Sequence, residues 1–313
     1  MGRLWIVFTL IAVATGGSAL AQDQERPLRR FTVPTLVTTV AWAPDGATVL
    51  AWDPAGWSAW DAASGRMRGR EPVVGKVCER TAVLPRSADG RVVSAQCRDR
   101  LYFFEAATGR AIGELQLREK QTAALYTASA DGTTTALVMA GATGTVAIGS
   151  KGSGTAVELP VEGEIERISV SAPGTRLTIG TVEGVEIREL PGGKRLHTVE
   201  GRASHTLSAD GRLLAVVSDR GAQLFDVESG RSLRSFEGRV SFLRFSPDSK
   251  RLIGWTNQRV VSWDVTSGAQ QLVVTSDEFV DASVSPDGSR LATVSLDRRG
   301  EGTTSVVAVW RLP

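Results

Sequence analysis

The feature that most constrains the fold of this chain is a short turn sequence that recurs seven times along its 313 residues. The seven copies are APDG (43–46), SADG (87–90), SADG (129–132), SAPG (171–174), SADG (208–211), SPDS (246–249) and SPDG (285–288). Their final residues lie 44, 42, 42, 37, 38 and 39 positions apart. A period of about 40 residues is typical of a chain that repeats one small unit, each unit burying its faces against its neighbours.

Each repeat is predicted to contain four short β-strands. Pro or Ala at the second turn position and Gly at the last suit a type I turn between two strands. Runs of β-favouring residues flank the turn, as in VSFLRF (240–245) and RLLAVVS (212–218). A third run such as VVSWD (260–264) leads into a second turn, VTSG (265–268), and a segment such as RSLRSFEG (231–238) supplies the fourth strand. Four antiparallel strands per repeat make one blade of a β-propeller.

The two ends of the chain are predicted to share one blade. The seventh repeat stops at VAVWRLP (307–313), on its third strand. RPLRRFTV (26–33) precedes the first repeat and is similar to the fourth-strand segment RSLRSFEG (231–238). An N-terminal strand that completes the last blade removes free sheet edges, which otherwise promote aggregation. The sequence therefore predicts an all-β, seven-bladed propeller in one domain, residues 22–313, closed by its N-terminal strand.

The ends of the third strands resemble those of the WD40-repeat family, and the resemblance covers essentially all of residues 26–313. It rests on Trp60-Asp61 in WDAASG, Trp263-Asp264 in WDVTSG, Phe225-Asp226 in FDVESG, and Trp310. The Gly-His dipeptide of the family is replaced by Gly201-Arg202 and Gly238-Arg239, so the family's buried His–Ser–Asp–Trp network cannot form in its usual way. Blades three and four lack Trp-Asp. The resemblance implies a rigid, non-catalytic platform for a protein or peptide partner.

The first 21 residues have the layout of a cleaved secretory signal. Arg3 precedes an apolar run of about 11 residues, which is too short for the ~20 needed to span a bilayer. The segment ends at Ala19-Leu20-Ala21, a small-x-small cleavage site. We therefore predict export to the periplasm or the extracellular space, without a transmembrane segment after cleavage. The mature chain keeps 35 Lys and Arg against 34 Asp and Glu, which argues against a nucleic-acid partner.

The sequence offers little for catalysis, because two histidines are too few for most metal or acid–base centres. His205 lies five residues before Asp210, and we predict that it is a packed core histidine, since the matching positions are mostly apolar: Val40, Leu84, Tyr126, Leu243 and Ala282. No nucleophile signature accompanies either histidine. The Asp that recurs in six of the seven turns is interpreted as an acceptor for its own turn backbone rather than as a metal ligand. No catalytic residue, metal site or cofactor is therefore predicted.

The two cysteines, Cys78 and Cys97, both fall in the second repeat. A hairpin folded about Ala88 brings them roughly opposite each other, and an exported chain meets an oxidising environment. A structural disulfide is therefore predicted. A register slip of one residue would instead turn one thiol to the opposite face of the sheet.

The predicted partner-binding surface is one rim of the ring. Loops that join second to third strands lie on the same face of a propeller as the loops that join blades. On that rim we expect Asp53, Arg98, Asp99, Arg100, Asp219, Arg220, Asn257, Arg298 and Arg299. Trp52 and Trp255 lie seven residues after the turn Asp, and exposed aromatics flanked by Arg are typical of binding hot spots. The alternative is that both tryptophans fill gaps between blades.

Two other functions remain open. EAATGR and DAASGR resemble the blade turn of quinoprotein dehydrogenases, which would make the protein an enzyme. Those blades usually carry a Trp soon after the Gly, and GRAIGEL (109–115) and GRSLRSF (230–236) have none; eight blades would also be expected. The SPDG turns are similar to those of TolB-like envelope propellers, but the Trp-Asp endings favour WD40.

Overall fold

The computed structural model describes residues 26–72, 82–84, 91–97, 99–117, 123–141, 144–150, 157–275, 278–298 and 302–312. These residues form seven four-stranded antiparallel sheets and no helix, which confirms the predicted all-β fold with seven blades. Within these ranges, then, there is no helix long and apolar enough to span a bilayer. The signal segment, residues 1–21, lies outside the described residues, so export stays a prediction.

The described ranges contain 28 strands, numbered along the chain, and each blade has an inner, a second, a third and an outer strand. The inner strands, which line the central channel, are β2 (Thr39–Trp42), β6 (Ala82–Leu84), β10 (Ala123–Ala128), β14 (Ile165–Val170), β18 (His205–Leu207), β22 (Phe242–Phe245) and β26 (Phe279–Val284). The second strands are β3 (Thr48–Asp53), β7 (Val92–Cys97), β11 (Thr134–Met139), β15 (Arg176–Thr181), β19 (Leu213–Ser218), β23 (Arg251–Trp255) and β27 (Arg290–Asp297).

The remaining two strands of each blade lie further from the channel. The third strands are β4 (Gly56–Asp61), β8 (Arg100–Glu105), β12 (Thr145–Ser150), β16 (Gly184–Glu189), β20 (Gly221–Asp226), β24 (Arg259–Asp264) and β28 (Thr304–Arg311). The outer strands are β5 (Met67–Pro72), β9 (Ala111–Gln116), β13 (Val157–Pro160), β17 (Arg195–Val199), β21 (Ser232–Glu237), β25 (Gln270–Thr275) and, in the seventh blade, β1 (Arg29–Val33).

The N-terminal strand closes the ring, as predicted. β1 pairs antiparallel with β28, in a register that runs from Arg29 opposite Val309 to Val33 opposite Ser305. The backbone N–H of Val37, in the connection to the first blade, donates to Ser305 Oγ at 2.8 Å. The last blade is therefore built from both ends of the chain, and its sheet edge is paired.

Burial between neighbouring blades holds the ring together. The described residues contain seven buried apolar clusters, and each lies between two adjacent blades. Side chains alternate between the two faces of a strand, so each blade contributes one face to each of two clusters. Since every blade is packed on both faces, the inner strands are held rigidly around the channel.

The repeated turns that contain Asp are held by their own carboxylates, as the sequence indicated. Asp45 Oδ1 accepts hydrogen bonds from the backbone N–H groups of Ala47 and Thr48, at 2.8 and 2.9 Å. Asp287 Oδ1 accepts from Ser285 Oγ and from the Ser289 N–H. The Ser285 hydroxyl, together with Ser289, lowers the pKa of Asp287 to about 2. These carboxylates are therefore occupied within their turns.

Strand direction assigns two faces to the ring. The repeated turns, which join inner to second strands, lie on one face, called here the turn face. The connections from second to third strands and from one blade to the next lie on the other, called here the loop face. The predicted rim belongs to the loop face.

Candidate functional site

The structure places Trp52 and Trp255 in the core and not on the rim surface. Their exposures are 0% and 1%. Trp52 Nε1 donates to the backbone oxygen of Ala106 in the second blade at 2.9 Å, and Trp255 belongs to the cluster between the sixth and seventh blades. A second strand has a strand on each side and a blade against each face, so a large side chain at its end is covered. The alternative, that both tryptophans fill gaps between blades, is therefore the correct one.

Asp53 is also buried, with 1% exposure, and cannot meet a partner on the rim. Its Oδ2 accepts hydrogen bonds from Thr35 Oγ1 and Arg70 Nη2, both at 2.7 Å. Its Oδ1 accepts from the N–H groups of Ala55 and Gly56. Asp53 therefore braces the loop between β3 and β4 against the outer strand of its blade.

The remaining rim residues form separate local contacts. Arg100, Asp219, Arg220, Asn257 and Arg298 are exposed, and Asp99 is half-buried. Three of them make ion pairs within their own blades: Arg100 with Glu114 at 2.9 Å, Asp219 with Arg202 at 2.9 Å, and Arg298 with Glu278 at 2.8 Å. Exposed pairs of this kind contribute little to stability. Arg98 and Arg299 lie outside the described residues, so the rim as a whole stays a prediction.

The predicted disulfide also stays a prediction. Cys97 is the last residue of β7, and Cys78 lies outside the described residues.

The centre of the loop face holds one group of aromatic and charged side chains from three blades, called here the mouth cluster: Arg167, Phe242, Arg244, Trp255 and Asp281. Phe242 opens β22 and is 40% exposed. Its ring lies 5.6 Å from that of its cross-strand partner Trp255, at an interplanar angle of 28°. Arg167 of the fourth blade places its guanidinium carbon 5.9 Å from the Phe242 ring centroid. Since Phe242 belongs to the sixth blade, Arg167 reaches past the inner strand of the fifth.

Arg244 and Asp281 form a buried ion pair within the mouth cluster. Arg244 Nη2 lies 3.1 Å from Asp281 Oδ1, and the two residues are 5% and 0% exposed. Asp281 also accepts hydrogen bonds from the backbone N–H groups of Val40, at 2.9 Å, and Ala282, at 2.7 Å. The guanidinium carbon of Arg244 lies 5.8 Å from the Trp255 ring centroid. Asp281 therefore ties three blades together and compensates the charge of Arg244.

Arg167 adds a positive charge that no carboxylate of the described chain pairs with. Its Nε is buried and has no acceptor. Burial, and next the neighbouring Arg244, lower the pKa of Arg167, while Asp281 opposes them. Its sequence neighbour Glu166 is exposed and lies at a register irregularity of β14, between Ile165 and Arg167. The mouth cluster thus holds two guanidinium groups against one carboxylate.

Hydroxyl groups continue the channel wall beside these arginines. Alternation along the inner strands puts the residues two and four positions before each repeated turn on the same side of the strand. In the fourth and fifth blades those residues include Ser169, Ser204 and Thr206, and the hydroxyl oxygen of each is buried without a protein partner. Buried hydroxyls are normally hydrogen-bonded, so each of these three keeps an unused capacity to form a hydrogen bond.

His205 is a packed core residue, as predicted. It is 1% exposed; Nδ1 lies 2.7 Å from the carbonyl oxygen of Ala203, and Nε2 lies 2.9 Å from Thr178 Oγ1. A carbonyl only accepts, so Nδ1 carries the proton and Nε2 accepts from the Thr178 hydroxyl. Burial, with a smaller effect of Arg167, lowers the pKa of His205 to about 3. The imidazole is therefore neutral and has both nitrogens occupied at physiological pH.

A cavity of about 260 Å³ lies on the turn-face side of Arg244. Its wall is mostly apolar and includes Trp42, Leu207, Phe245 and Val284. Arg244 of the mouth cluster lines it as well, so the cluster and the cavity share this side chain. In the ranges that the structure covers, no group of three His, Cys, Asp or Glu side chains is placed to hold a metal ion.

Sequence reasoning missed Phe242 and Arg167 and noticed only their buried neighbours. A signal was present at the position two residues before the repeated turn. In the other six blades that position carries a residue that is neither long nor charged: Ala41, Pro85, Thr127, Ser169, Thr206 and Ser283. The sixth blade has Arg244 there. A long cationic side chain at a position that otherwise carries small residues marks the channel as unusual in this blade.

The comparisons with known proteins add no relative. No protein-family model matches the chain, and no curated protein matches it. The seven-bladed propeller therefore rests on the strand pairing described above, and the WD40 interpretation rests on the resemblance of the strand endings.

Proposed function

We propose that this chain is an exported, non-catalytic, WD40-like propeller that binds a protein or peptide at the centre of its loop face. The observation that carries the proposal is the exposure of Phe242 at the channel mouth. It is the only aromatic among the large apolar side chains that are exposed in the described part of the chain. An aromatic side chain next to arginine on a rigid support is the usual composition of a binding hot spot.

The distribution of the other exposed apolar side chains favours the same face. Leu36 lies in the connection into the first blade and Val182 lies between β15 and β16, so both belong to the loop face with Phe242. The other four large apolar side chains that are exposed lie on outer strands or directly before one: Leu28, Met67, Val157 and Leu233.

The support under Phe242 is already ordered. Its ring stacks on Trp255, which is 1% exposed and packed between two blades. Docking of a partner on Phe242 therefore costs little conformational entropy of the propeller surface, and such preorganisation increases affinity.

A comparison of variants tests the proposal. Purified wild-type protein, Phe242→Ala and the matched control Leu233→Ala are immobilised, and envelope extract of the source organism is passed over each. We expect Phe242→Ala to reduce recovery of the bound partner by about 30-fold, the effect of losing a hot spot of about 2 kcal/mol. Leu233→Ala, on an outer strand, should recover the partner as the wild type does. Equal recovery from all three folded proteins would overturn the proposal.

Two further measurements address the remaining parts of the proposal. An absorbance scan of the purified protein tests for a bound quinone, and a quinone band would favour the enzyme alternative. Seven blades, instead of the eight expected for quinoprotein dehydrogenases, support the non-catalytic proposal.

N-terminal sequencing of the protein from its native host tests export. We expect the mature chain to begin at Gln22, and a chain that begins at Met1 or Gly2 would contradict export.

A further inference from the structure

The unsatisfied groups of the mouth cluster are donors, and those of the neighbouring inner strands are hydroxyls. Arg167 Nε and Arg244 Nε are buried without an acceptor, and a guanidinium nitrogen can only donate. The one buried carboxylate, Asp281, already accepts from Val40, Ala282 and Arg244. An additional group that satisfies this site must therefore bring acceptors.

The charge of the site defines that group more closely. Asp281 compensates Arg244, while Arg167 has no ion-pair partner in the described chain, so the site carries an excess of one positive charge. A carboxylate carries one negative charge, whereas a phosphate monoester carries about −1.5 to −2 at pH 7. A single carboxylate matches the excess and supplies two acceptor oxygens for guanidinium and hydroxyl donors.

We infer that the mouth cluster binds a carboxylate, held by Arg167 with the hydroxyls of Ser204 and Thr206, on a ligand whose apolar neighbouring group packs against Phe242. The inference deepens the proposed function, on which it rests, because it specifies an acidic residue or a chain terminus as the part of the partner that enters the channel. Arg244 stays paired with Asp281 and directs its remaining Nε donor toward the same anion.

The position of the donors relative to the aromatic ring supports this arrangement. Arg167 belongs to the fourth blade and contacts the Phe242 ring of the sixth. Ser204 and Thr206, whose hydroxyls have no protein partner, belong to the fifth blade, which lies between these two. Thr206 is completely buried, and its hydroxyl has no protein partner in the described chain. An apolar group outside and an anion inside would therefore be recognised together.

Small probes test the inference without the partner. The purified full-length protein, labelled with ¹⁵N, is titrated with phenylacetate, and the arginine Nε–Hε signals are followed by NMR; Arg167→Lys assigns the Arg167 signal. Phenylacetamide is the neutral control probe and phenyl phosphate tests the alternative anion. The variants are Arg167→Met and Thr206→Val, with Arg202→Met as the control, because Arg202 is an exposed loop-face arginine that pairs with Asp219.

We expect phenylacetate to shift the Arg167 signal in a saturable manner and to bind more tightly than either other probe. Arg167→Met should raise the Kd by about tenfold or more, Thr206→Val should raise it severalfold, and Arg202→Met should leave it within about twofold, as expected for an exposed pair. Circular dichroism establishes that each variant is folded. No saturable shift, equal binding of phenylacetamide, tighter binding of phenyl phosphate, or equal effects of Arg167→Met and Arg202→Met would each overturn the inference.

The two proposals fail separately. If phenylacetate does not bind at Arg167 but Phe242→Ala abolishes partner recovery, the carboxylate inference fails and the proposed function stands. If phenylacetate binds at Arg167 but Phe242→Ala leaves partner recovery unchanged, the proposed function fails and the channel is an anion site with another role.

Discussion

Lowering the pH from 7 to 5 is expected to reduce the free energy of unfolding by about 2 kcal/mol through His205 alone. Burial lowers the pKa of this imidazole from its ordinary value of 6.5 to about 3 in the folded protein. Between these two values the unfolded chain binds a proton that the folded protein does not. The stabilisation is therefore complete above pH 6.5 and is lost progressively as the pH falls toward 3.

The magnitude follows from the distance between the assay pH and the pKa of the unfolded chain. At pH 5 the folded protein still holds His205 neutral, while the imidazole of the unfolded chain is mostly protonated. Since pH 5 lies about 1.5 pH units below 6.5, and one unit corresponds to about 1.36 kcal/mol, the loss is about 2 kcal/mol. Carboxylates contribute little in this range, because their ordinary pKa values lie near 4.

Urea unfolding at pH 7 and pH 5, followed by circular dichroism, measures the effect. His205→Leu is the test variant, because Leu84 and Leu243 occupy matching positions in other blades. Its absolute stability will change, since Ala203 loses a hydrogen-bond donor, but its pH dependence should be about 2 kcal/mol smaller than that of the wild type. His197→Gln, on the outer strand β17, removes the only other histidine and should keep the wild-type dependence.

Two results would refute the reasoning. The first is an equal loss of stability between pH 7 and pH 5 in the wild type and in His205→Leu. The second is an NMR titration in which the His205 ring titrates near pH 6.5 in the folded protein. Either result would mean that the imidazole reaches solvent or a carboxylate in the native state.

Three predictions on stability can be checked by the same urea assay, the first two at pH 7 and the third at pH 7 and pH 2. Phe31→Ala removes a buried ring of the closing strand that stacks on Trp60 of the first blade, with the two ring centroids 4.8 Å apart. This change should lower the free energy of unfolding by about 3 kcal/mol, and an unchanged midpoint would argue against closure through β1. Gly109→Ala should lower the free energy of unfolding by about 2 kcal/mol more than the control Gly141→Ala. Both glycines have positive φ, but only at Gly109 would an added Cβ meet the Trp57 indole. Equal losses of stability in the two variants would contradict that contact. Asp287→Ala removes three hydrogen bonds from a repeated turn and should cost about 2 kcal/mol at pH 7 but much less at pH 2; a loss independent of pH would contradict the lowered pKa of about 2.

The fold could be predicted because its determinants are local and repeated. A turn such as SPDG at 285–288 specifies its own geometry through Asp287 and a glycine at φ 72°. Seven such turns at nearly regular spacing leave few arrangements other than a ring of four-stranded sheets. The similarity of residues 26–33 to a fourth-strand segment was enough to predict closure, because it depends on strand type and not on side-chain contacts.

The site was predicted less well, because exposure depends on what covers a side chain. The offset from the turn placed Trp255 correctly at the end of β23, yet its cross-strand partner Phe242 covers it and is itself the exposed ring. Asp53 also lies at the predicted position, but Thr35 and Arg70 donate hydrogen bonds to its carboxylate, which is buried. Position in the repeat therefore determines which face of the ring a residue belongs to and does not determine whether it is accessible.

The sequence by itself determined the number of blades, their strand order and the closure of the ring, since each depends on patterns within about 40 residues or on the two chain ends. Only the tertiary structure decided that Arg167, Phe242 and Asp281, from three different blades, meet at the channel mouth. These contacts join residues that lie far apart in the sequence, and no spacing along the chain encodes them. The physical reason is that turn and strand preferences act between near neighbours, whereas burial and charge compensation depend on every group that surrounds a site.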